Sequence, residues 1–204
     1  MRVLFSGAVA VALLGGCAAP ASQQVDQMNN AAACCTAPEQ LQAAGTLATE
    51  SAGELSPQTP LVTMSGKRTP AMRFLVPAGL AGRQLEIRSA PMQAMLWSGG
   101  IAFVPVSAVF LAANGTPIAA PHDTGLEAGP SRSIAFSYAL WRTVTVPAGA
   151  ASAVFYSDPA LHDTEQTFSY RFSSTVPAGG ILLEKSAHAK AFYKVYGGFS
   201  VKVL

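Results

Sequence analysis

The cysteines and histidines of this chain define the chemistry that its side chains could perform. Cys17 ends an apolar run, Cys34 and Cys35 are adjacent, and His-Asp-Thr triplets begin at His122 and His162. A thiol can be acylated or oxidised, and an imidazole beside a carboxylate can bind a metal ion or accept a proton. The sequence therefore offers three kinds of chemistry: lipidation, thiol–disulfide chemistry, and metal binding or acid–base catalysis.

The N-terminus has the form of a bacterial lipoprotein signal. A basic residue precedes an apolar run over residues 3–14, and two glycines lead to Cys17. The run is shorter than the ~20 residues that span a bilayer, and its flanks are those of a signal peptide. We predict a signal over residues 1–16 and acylation of Cys17, with palmitate-type chains, as the membrane anchor. The alternative is an ordinary secreted protein. Because Ala18 and not Asp follows, we expect a periplasmic protein anchored to the outer membrane.

If Cys17 is lipidated, Cys34 and Cys35 remain as a pair in an oxidising compartment. Neighbouring Cα atoms lie about 3.8 Å apart, whereas disulfides prefer roughly 4.4–6.8 Å. The sequence leaves three states open for the pair: a vicinal disulfide, pairing with a partner chain, or two free thiols. A zinc site is disfavoured because no further Cys/His cluster accompanies the pair.

The two His-Asp-Thr triplets are the weak metal candidates, through His122, Asp123, His162 and Asp163. They would form a site only if the two loops met, and Asp and Thr more commonly begin turns by local hydrogen bonds. Hydrolase, phosphate-loop and dinucleotide motifs are missing from the sequence. We therefore predict no metal, no cofactor and no enzymatic activity; a hydrolase that uses His122 or His162 is the least favoured class.

Three aromatic residues are candidates for stacking on a ligand, namely Trp141, Tyr193 and Tyr196. Trp141 opens a predicted strand, and we expect its ring and those of the Tyr193–Tyr196 pair to be partly exposed. The alternative is that these rings belong to the core.

Composition predicts a large core and a weakly charged surface. Of 204 residues, 50% are hydrophobic and 12% are charged, and the formal net charge is +2. A charge this small, without a basic stripe, argues against nucleic acid as a partner.

Alternating apolar residues predict a mainly β fold. Period-two patterns occur from about residue 61 to the C-terminus, and the motif Val-Pro-Ala-Gly recurs at strand ends, starting at Val76, Val146 and Val176. Many short strands with Gly/Pro turns indicate an antiparallel sandwich or jelly roll. We expect a tether with a short helix (near residues 38–50) over residues 17–60 and a β-sandwich over residues 61–204. Residues 181–196 fit either a helix or a strand.

The ordered motifs resemble the maltose operon periplasmic protein family. The resemblance rests on their sequence along residues 34–204: Cys34-Cys35-Thr36, Phe74-Leu75-Val76-Pro77, Phe103-Val104-Pro105-Val106, Asn114-Gly115-Thr116-Pro117-Ile118, Phe155-Tyr156-Ser157-Asp158-Pro159 and Tyr196-Gly197-Gly198. It implies a periplasmic β-rich protein associated with maltodextrin uptake, with no catalytic residues to carry over. The lipobox and the absence of a long C-terminal tail depart from the familiar members.

The sequence thus predicts a non-enzymatic periplasmic accessory or binding lipoprotein, with carbohydrate or envelope proteins as partners besides the membrane. The alternative is a structural outer-membrane lipoprotein that acts through protein–protein or peptidoglycan interaction.

Overall fold

Strands dominate the chain. The computed structural model describes residues 21–95, 100–130, 138–175 and 182–204. The described residues contain one α-helix, α1 (Ala21–Asn30), and fifteen strands: β1 (Ala43–Thr46), β2 (Glu50–Leu55), β3 (Leu61–Met64), β4 (Lys67–Leu75), β5 (Gln84–Ser89), β6 (Met92–Met95), β7 (Gly100–Phe103), β8 (Val106–Leu111), β9 (Pro117–Ile118), β10 (Glu127–Pro130), β11 (Tyr138–Thr145), β12 (Ser152–Ser157), β13 (Glu165–Thr175), β14 (Leu182–Tyr193) and β15 (Gly197–Val203).

The strands form three sheets that pack together. The first has the order β1-β4-β12-β8-β9, with β3 also paired to β4; the second has the order β10-β11-β5-β15-β2; the third has the order β13-β14-β7-β6. Pairing is antiparallel except between β1 and β4 and between β14 and β7. The prediction of a mainly β fold of packed antiparallel sheets is confirmed.

The main core lies between the first two sheets. The ring of Phe155 on β12 packs against Phe74 on β4 and Phe199 on β15, with centroid separations of 5.8 and 5.7 Å. Burial of each such ring contributes roughly 1.5–3 kcal/mol. Gly53 on β2 permits the close approach of Phe199, because a Cβ there would lie 2.6 Å from the ring. The alternation of apolar residues thus becomes a core between two sheet faces.

Turn residues of the sequence end strands as expected. Pro105 separates β7 from β8, and its carbonyl accepts a hydrogen bond from the Asp158 amide at 2.7 Å. Gly115 has φ +84° in the turn between β8 and β9, and Gly149 has φ +79° in the second Val-Pro-Ala-Gly motif. The third such motif falls on residues 176–181, outside the described residues. Within the described residues, proline and glycine therefore lie at the strand boundaries near Pro105, Gly115 and Gly149.

The expected tether over residues 17–60 differs most from the structure. Residues 21–30 are helical, the helix predicted near residues 38–50 is only a 3-10 turn over Pro38–Gln40, and β1 and β2 belong to the sheets. The physical reason is burial: Leu41, Leu47 and Leu55 are each at most 3% exposed and anchor this segment against the sheets.

The sequence ambiguity over residues 181–196 is resolved for the described part, since β14 is a strand. Across the described residues, no helix has the length and apolar composition needed to cross a bilayer.

Candidate functional site

A cleft of about 650 Å³ lies where α1 meets two turns of the three packed sheets, which we call the β body. The turns are the one that joins β3 to β4 and the one that follows β12. The cleft is lined by polar, charged and small apolar side chains: Ser22, Val25, Asp26, Met28, Asn29, Gly66, Lys67, Arg68, Pro159, His162 and Asp163. These three segments are far apart in sequence, so only the tertiary structure creates the site. We refer to it below as the α1 cleft.

The inner face of α1 is fixed to the body by one apolar side chain and one amide. Met28 is 3% exposed and packs with Leu61, Val195 and Tyr196. The Gln24 Oε1 accepts a hydrogen bond from the Val195 amide at 3.1 Å. A buried amide left without a hydrogen-bond partner would cost free energy. Gln24 therefore satisfies the Val195 amide and, through the same hydrogen bond, orients α1.

The C-terminal end of α1 is fixed by Arg68. Its Nη1 donates to the carbonyls of Asn29 at 3.1 Å and Ala31 at 2.8 Å. The last carbonyls of a helix lack partners within the helix and carry partial negative charge, so a guanidinium stabilises them. Arg68 thus forms one wall of the α1 cleft and holds the helix that forms the opposite wall.

His162 is the half-buried ionisable group of the cleft. Its Nε2 lies 2.8 Å from the Ser157 Oγ, and the Thr69 hydroxyl donates to the Ser157 carbonyl. Burial lowers the pKa of His162 to about 4; nearby Asp158 opposes this shift, Lys67 adds to it, and the hydrogen bond to Ser157 opposes it. The imidazole is therefore neutral at pH 7. Ser157 is fully buried, so its hydroxyl orients the imidazole and does not face a ligand.

The formal charges that line the α1 cleft cancel. Two cations, Lys67 and Arg68, face two carboxylates, Asp26 and Asp163, and the neutral imidazole of His162 adds no charge. A site of this kind presents donors and acceptors without a strong preference for the sign of a ligand's charge. Its chemistry suits a neutral polar molecule.

The first triplet serves a different structure, which we call the Arg142 bridge and define as Asp123, Arg142, Ser107 and Asp158. The Arg142 Nε lies 3.1 Å from the Asp123 Oδ1, an ion pair in which the buried N–H is not aligned for a hydrogen bond. The Arg142 Nη1 donates to the Ser107 Oγ, which donates to the Asp158 Oδ2 at 3.0 Å. The guanidinium of Arg142 on β11 thus links the second sheet to the first through the Ser107 hydroxyl on β8, and it also pairs with Asp123.

The two triplets therefore do not form one metal site. His122 is exposed beside the Arg142 bridge, whereas His162 and Asp163 line the α1 cleft. Within the part of the chain that the structure describes, no three His, Cys, Asp or Glu side chains are grouped to hold a metal ion.

The aromatic candidates for ligand stacking lie apart. Trp141 on β11 is partly exposed, and its Nε1 donates to the Glu127 Oε2 at 3.0 Å. Tyr193 is 1% exposed, and burial raises its pKa to about 12. Tyr196 is 9% exposed in the cluster beneath α1. The expected exposure of the tyrosine pair is wrong, because the end of β14 and the start of β15 are covered by core residues and α1.

Cys34 and Cys35 are joined by a disulfide at the start of the β body. Cys34 is exposed and Cys35 is 8% exposed. Both amides donate to the Leu61 carbonyl, at 3.1 and 3.3 Å. Cys17, the predicted lipidation site, lies outside the described residues.

Sequence reasoning missed most of the α1 cleft. The sequence assigned no site role to Lys67 and Arg68, and residues 21–30 belonged to the expected tether. A weak signal was present, since Val25 and Met28 stand three residues apart, as on one face of a helix. Nothing in the sequence indicated where that face would pack.

Comparisons of the chain with protein-family models, with curated proteins and with solved structures found no match.

Proposed function

We propose that this chain is a non-enzymatic periplasmic accessory lipoprotein that binds a neutral, hydroxyl-rich ligand in the α1 cleft. The lipid on Cys17 anchors it to the outer membrane, and maltodextrin is the first ligand to test. The observation that carries the proposal is the α1 cleft itself, a volume of about 650 Å³ lined by balanced charges. Pockets of roughly 300–1,000 Å³ are of the size that holds a small molecule.

The residues of the cleft fit a polyhydroxy ligand by their hydrogen-bonding capacity. Asp26 and Asp163 supply acceptors, Lys67 supplies donors, and the neutral His162 supplies one or the other. Val25 and Pro159 add small apolar surfaces against which the C–H faces of a sugar ring can rest. A charged ligand of either sign would meet like charges in the same cleft, from Asp26 and Asp163 or from Lys67 and Arg68.

The alternative is a structural outer-membrane lipoprotein that acts through protein–protein or peptidoglycan contacts. One observation favours it: among the described residues that line the α1 cleft, there is no Phe, Tyr or Trp. Stacking on aromatic rings is a common component of sugar binding, and the partly exposed Trp141 is not part of this lining.

Calorimetric titration of the full chain with maltodextrins separates the two. The proposal expects binding that falls at least about tenfold, or about 1.4 kcal/mol, in the double variant Asp26→Asn/Asp163→Asn. The matched control is Glu50→Gln/Glu54→Gln, which changes two exposed carboxylates of β2 and should leave binding intact. No binding across a panel of glycans rejects the carbohydrate role; capture of envelope proteins or peptidoglycan then supports the alternative.

The anchor has its own experiment. Labelled palmitate fed to cells that produce the chain should appear in the protein and disappear in Cys17→Ser. Retention of Cys17→Ser in the outer-membrane fraction without label would contradict a lipid anchor.

A further inference from the structure

The Cys34–Cys35 disulfide joins residues with a sequence separation of 1. A disulfide stabilises a fold mainly by restricting the unfolded chain, and the effect grows with the loop that it closes. A bond between neighbours closes only a small ring with no residue between the two cysteines, so it contributes almost nothing in this way. The value of this bond has to lie in local structure or in the chemistry of its sulfurs.

The two cysteines differ in access. Cys34 is exposed, whereas Cys35 is 8% exposed and packs with Leu41, Val62 and Leu111. Thiol–disulfide exchange requires an attacking thiolate to reach one sulfur while the other leaves. The fold therefore presents the Cys34 side to a reductant and keeps Cys35 as the leaving group.

The pair is also coupled to α1 through a single residue. The Leu61 carbonyl accepts hydrogen bonds from both cysteine amides, and the Leu61 side chain packs against Met28 of α1. The backbone at the disulfide is constrained by the ring that the two sulfurs close. A change at the disulfide that moves these amides shifts Leu61, which supports the helix that forms one wall of the α1 cleft.

We propose that Cys34–Cys35 is a thiol–disulfide exchange site for a dithiol oxidoreductase, and that its reduction loosens α1 and opens the α1 cleft. A thiolate of the partner attacks the Cys34 sulfur, and the Cys35 sulfur leaves with the electron pair and takes a proton from water. The second thiol of the partner then displaces the Cys34 thiolate, which is protonated. The partner is oxidised to its disulfide and the protein gains two thiols. This inference does not depend on the identity of the cleft ligand.

The test uses the full chain with Cys17→Ser, so that Cys34 and Cys35 are its only cysteines. The folded protein is treated with dithiothreitol or with a thioredoxin-type dithiol protein, followed by thiol alkylation with mass detection and by amide hydrogen exchange. Both thiols should become alkylated without denaturant. Amide exchange over residues 21–30 should accelerate about tenfold or more, while amides of β12 keep their protection.

A second variant, Cys34→Ser/Cys35→Ser, provides a matched control. Its α1 amides should exchange as fast as those of the reduced protein and should not respond to dithiothreitol. If this variant does not fold, the cycle in the parent chain decides, because reoxidation with oxidised glutathione should restore slow exchange.

Three results would overturn the inference. Alkylation only in denaturant would mean that no exchange site exists in the folded protein. Unchanged exchange over residues 21–30 after reduction would remove the coupling to α1. Loss of protection in β12 together with α1 would make the disulfide a structural bond of the whole fold.

Discussion

The triplets His122-Asp123-Thr124 and His162-Asp163-Thr164 are identical in sequence and are used in opposite ways. In the first, the imidazole is exposed and the carboxylate is paired with Arg142. In the second, the imidazole is half-buried against Ser157 and the carboxylate is exposed at the α1 cleft. Each threonine hydroxyl donates locally, from Thr124 to the Gly125 carbonyl and from Thr164 to the Leu161 carbonyl. The comparison shows that the tertiary surroundings of each triplet, and not its local sequence, decide which side chain is buried or paired.

The largest effect on stability is expected at Arg142, which pairs with Asp123 of the first triplet. Arg142→Ala should lower the free energy of unfolding by about 2–3 kcal/mol, because it removes charged hydrogen bonds from partly buried groups. Urea denaturation measures the change. Lys202→Ala is the matched control, because its contact with Glu50 at 3.6 Å joins two exposed side chains and should contribute below about 1 kcal/mol. Equal costs for both variants would show that the Arg142 bridge adds no stability.

The next largest difference is expected between the two histidines, in the free energy of unfolding that each contributes. His162→Ala should cost about 1–3 kcal/mol, because the buried Ser157 hydroxyl loses its partner. His122→Ala changes an exposed side chain and should stay within about 0.5 kcal/mol. The same denaturation experiment compares them. A larger loss at His122 than at His162 would reverse the comparison.

An acid effect on stability is expected at His162 of the second triplet. The pKa of His162 is about 4 in the folded chain and 6.5 for the unperturbed group, so the unfolded chain binds the proton more readily between these values. The contribution of His162 to stability is therefore fully present above pH 6.5 and falls as the pH drops from 6.5 towards 4. The loss should be at most about 2 kcal/mol, because the partly exposed ring is screened by water.

This acid effect has an internal control. Denaturation midpoints measured across the same pH range should lose this component in His162→Gln and keep it in His122→Gln. A pH profile that His162→Gln leaves unaltered would assign the effect to other groups.

The smallest effects concern the carboxylates. Asp123→Asn should cost about 1 kcal/mol, because the charge that faces Arg142 is removed. Asp163→Asn should stay within about 0.5 kcal/mol, because Asp163 has φ +58°, a conformation that asparagine tolerates well. Paired thermal melts would show the order. A larger cost at Asp163 would indicate that its charge supports α1.

Much of the fold could be predicted from the sequence, because its signals are local. Alternation along Leu85 and Ile87 places these side chains on one face of β5, and both are buried. Asn114-Gly115 and Pro105 set strand boundaries through φ preferences that need no tertiary context. The prediction for the N-terminal segment was wrong because its structure is not set by local signals. The residues of β1 are small and mostly exposed, and this strand forms only by pairing with the distant β4.

The candidate site was largely beyond prediction. Its walls come from α1, from residues 66–68 and from residues 159–163, and no local pattern states that these segments meet. The metal hypothesis depended on a meeting of the two triplets, and the sheets carry them to different places. The disulfide was one of the states left open, and the structure adds the access difference between Cys34 and Cys35.

By itself, the sequence determined the alternating strands from about residue 61 onward and the turns that separate them, because side-chain periodicity and backbone preferences act over a few residues. Only the tertiary structure decided that α1 lines a cleft, that Arg68 caps this helix, and that His162 is the half-buried histidine of the two equal triplets. Those outcomes depend on contacts between distant residues, where burial and charge are set by the packing of the sheets.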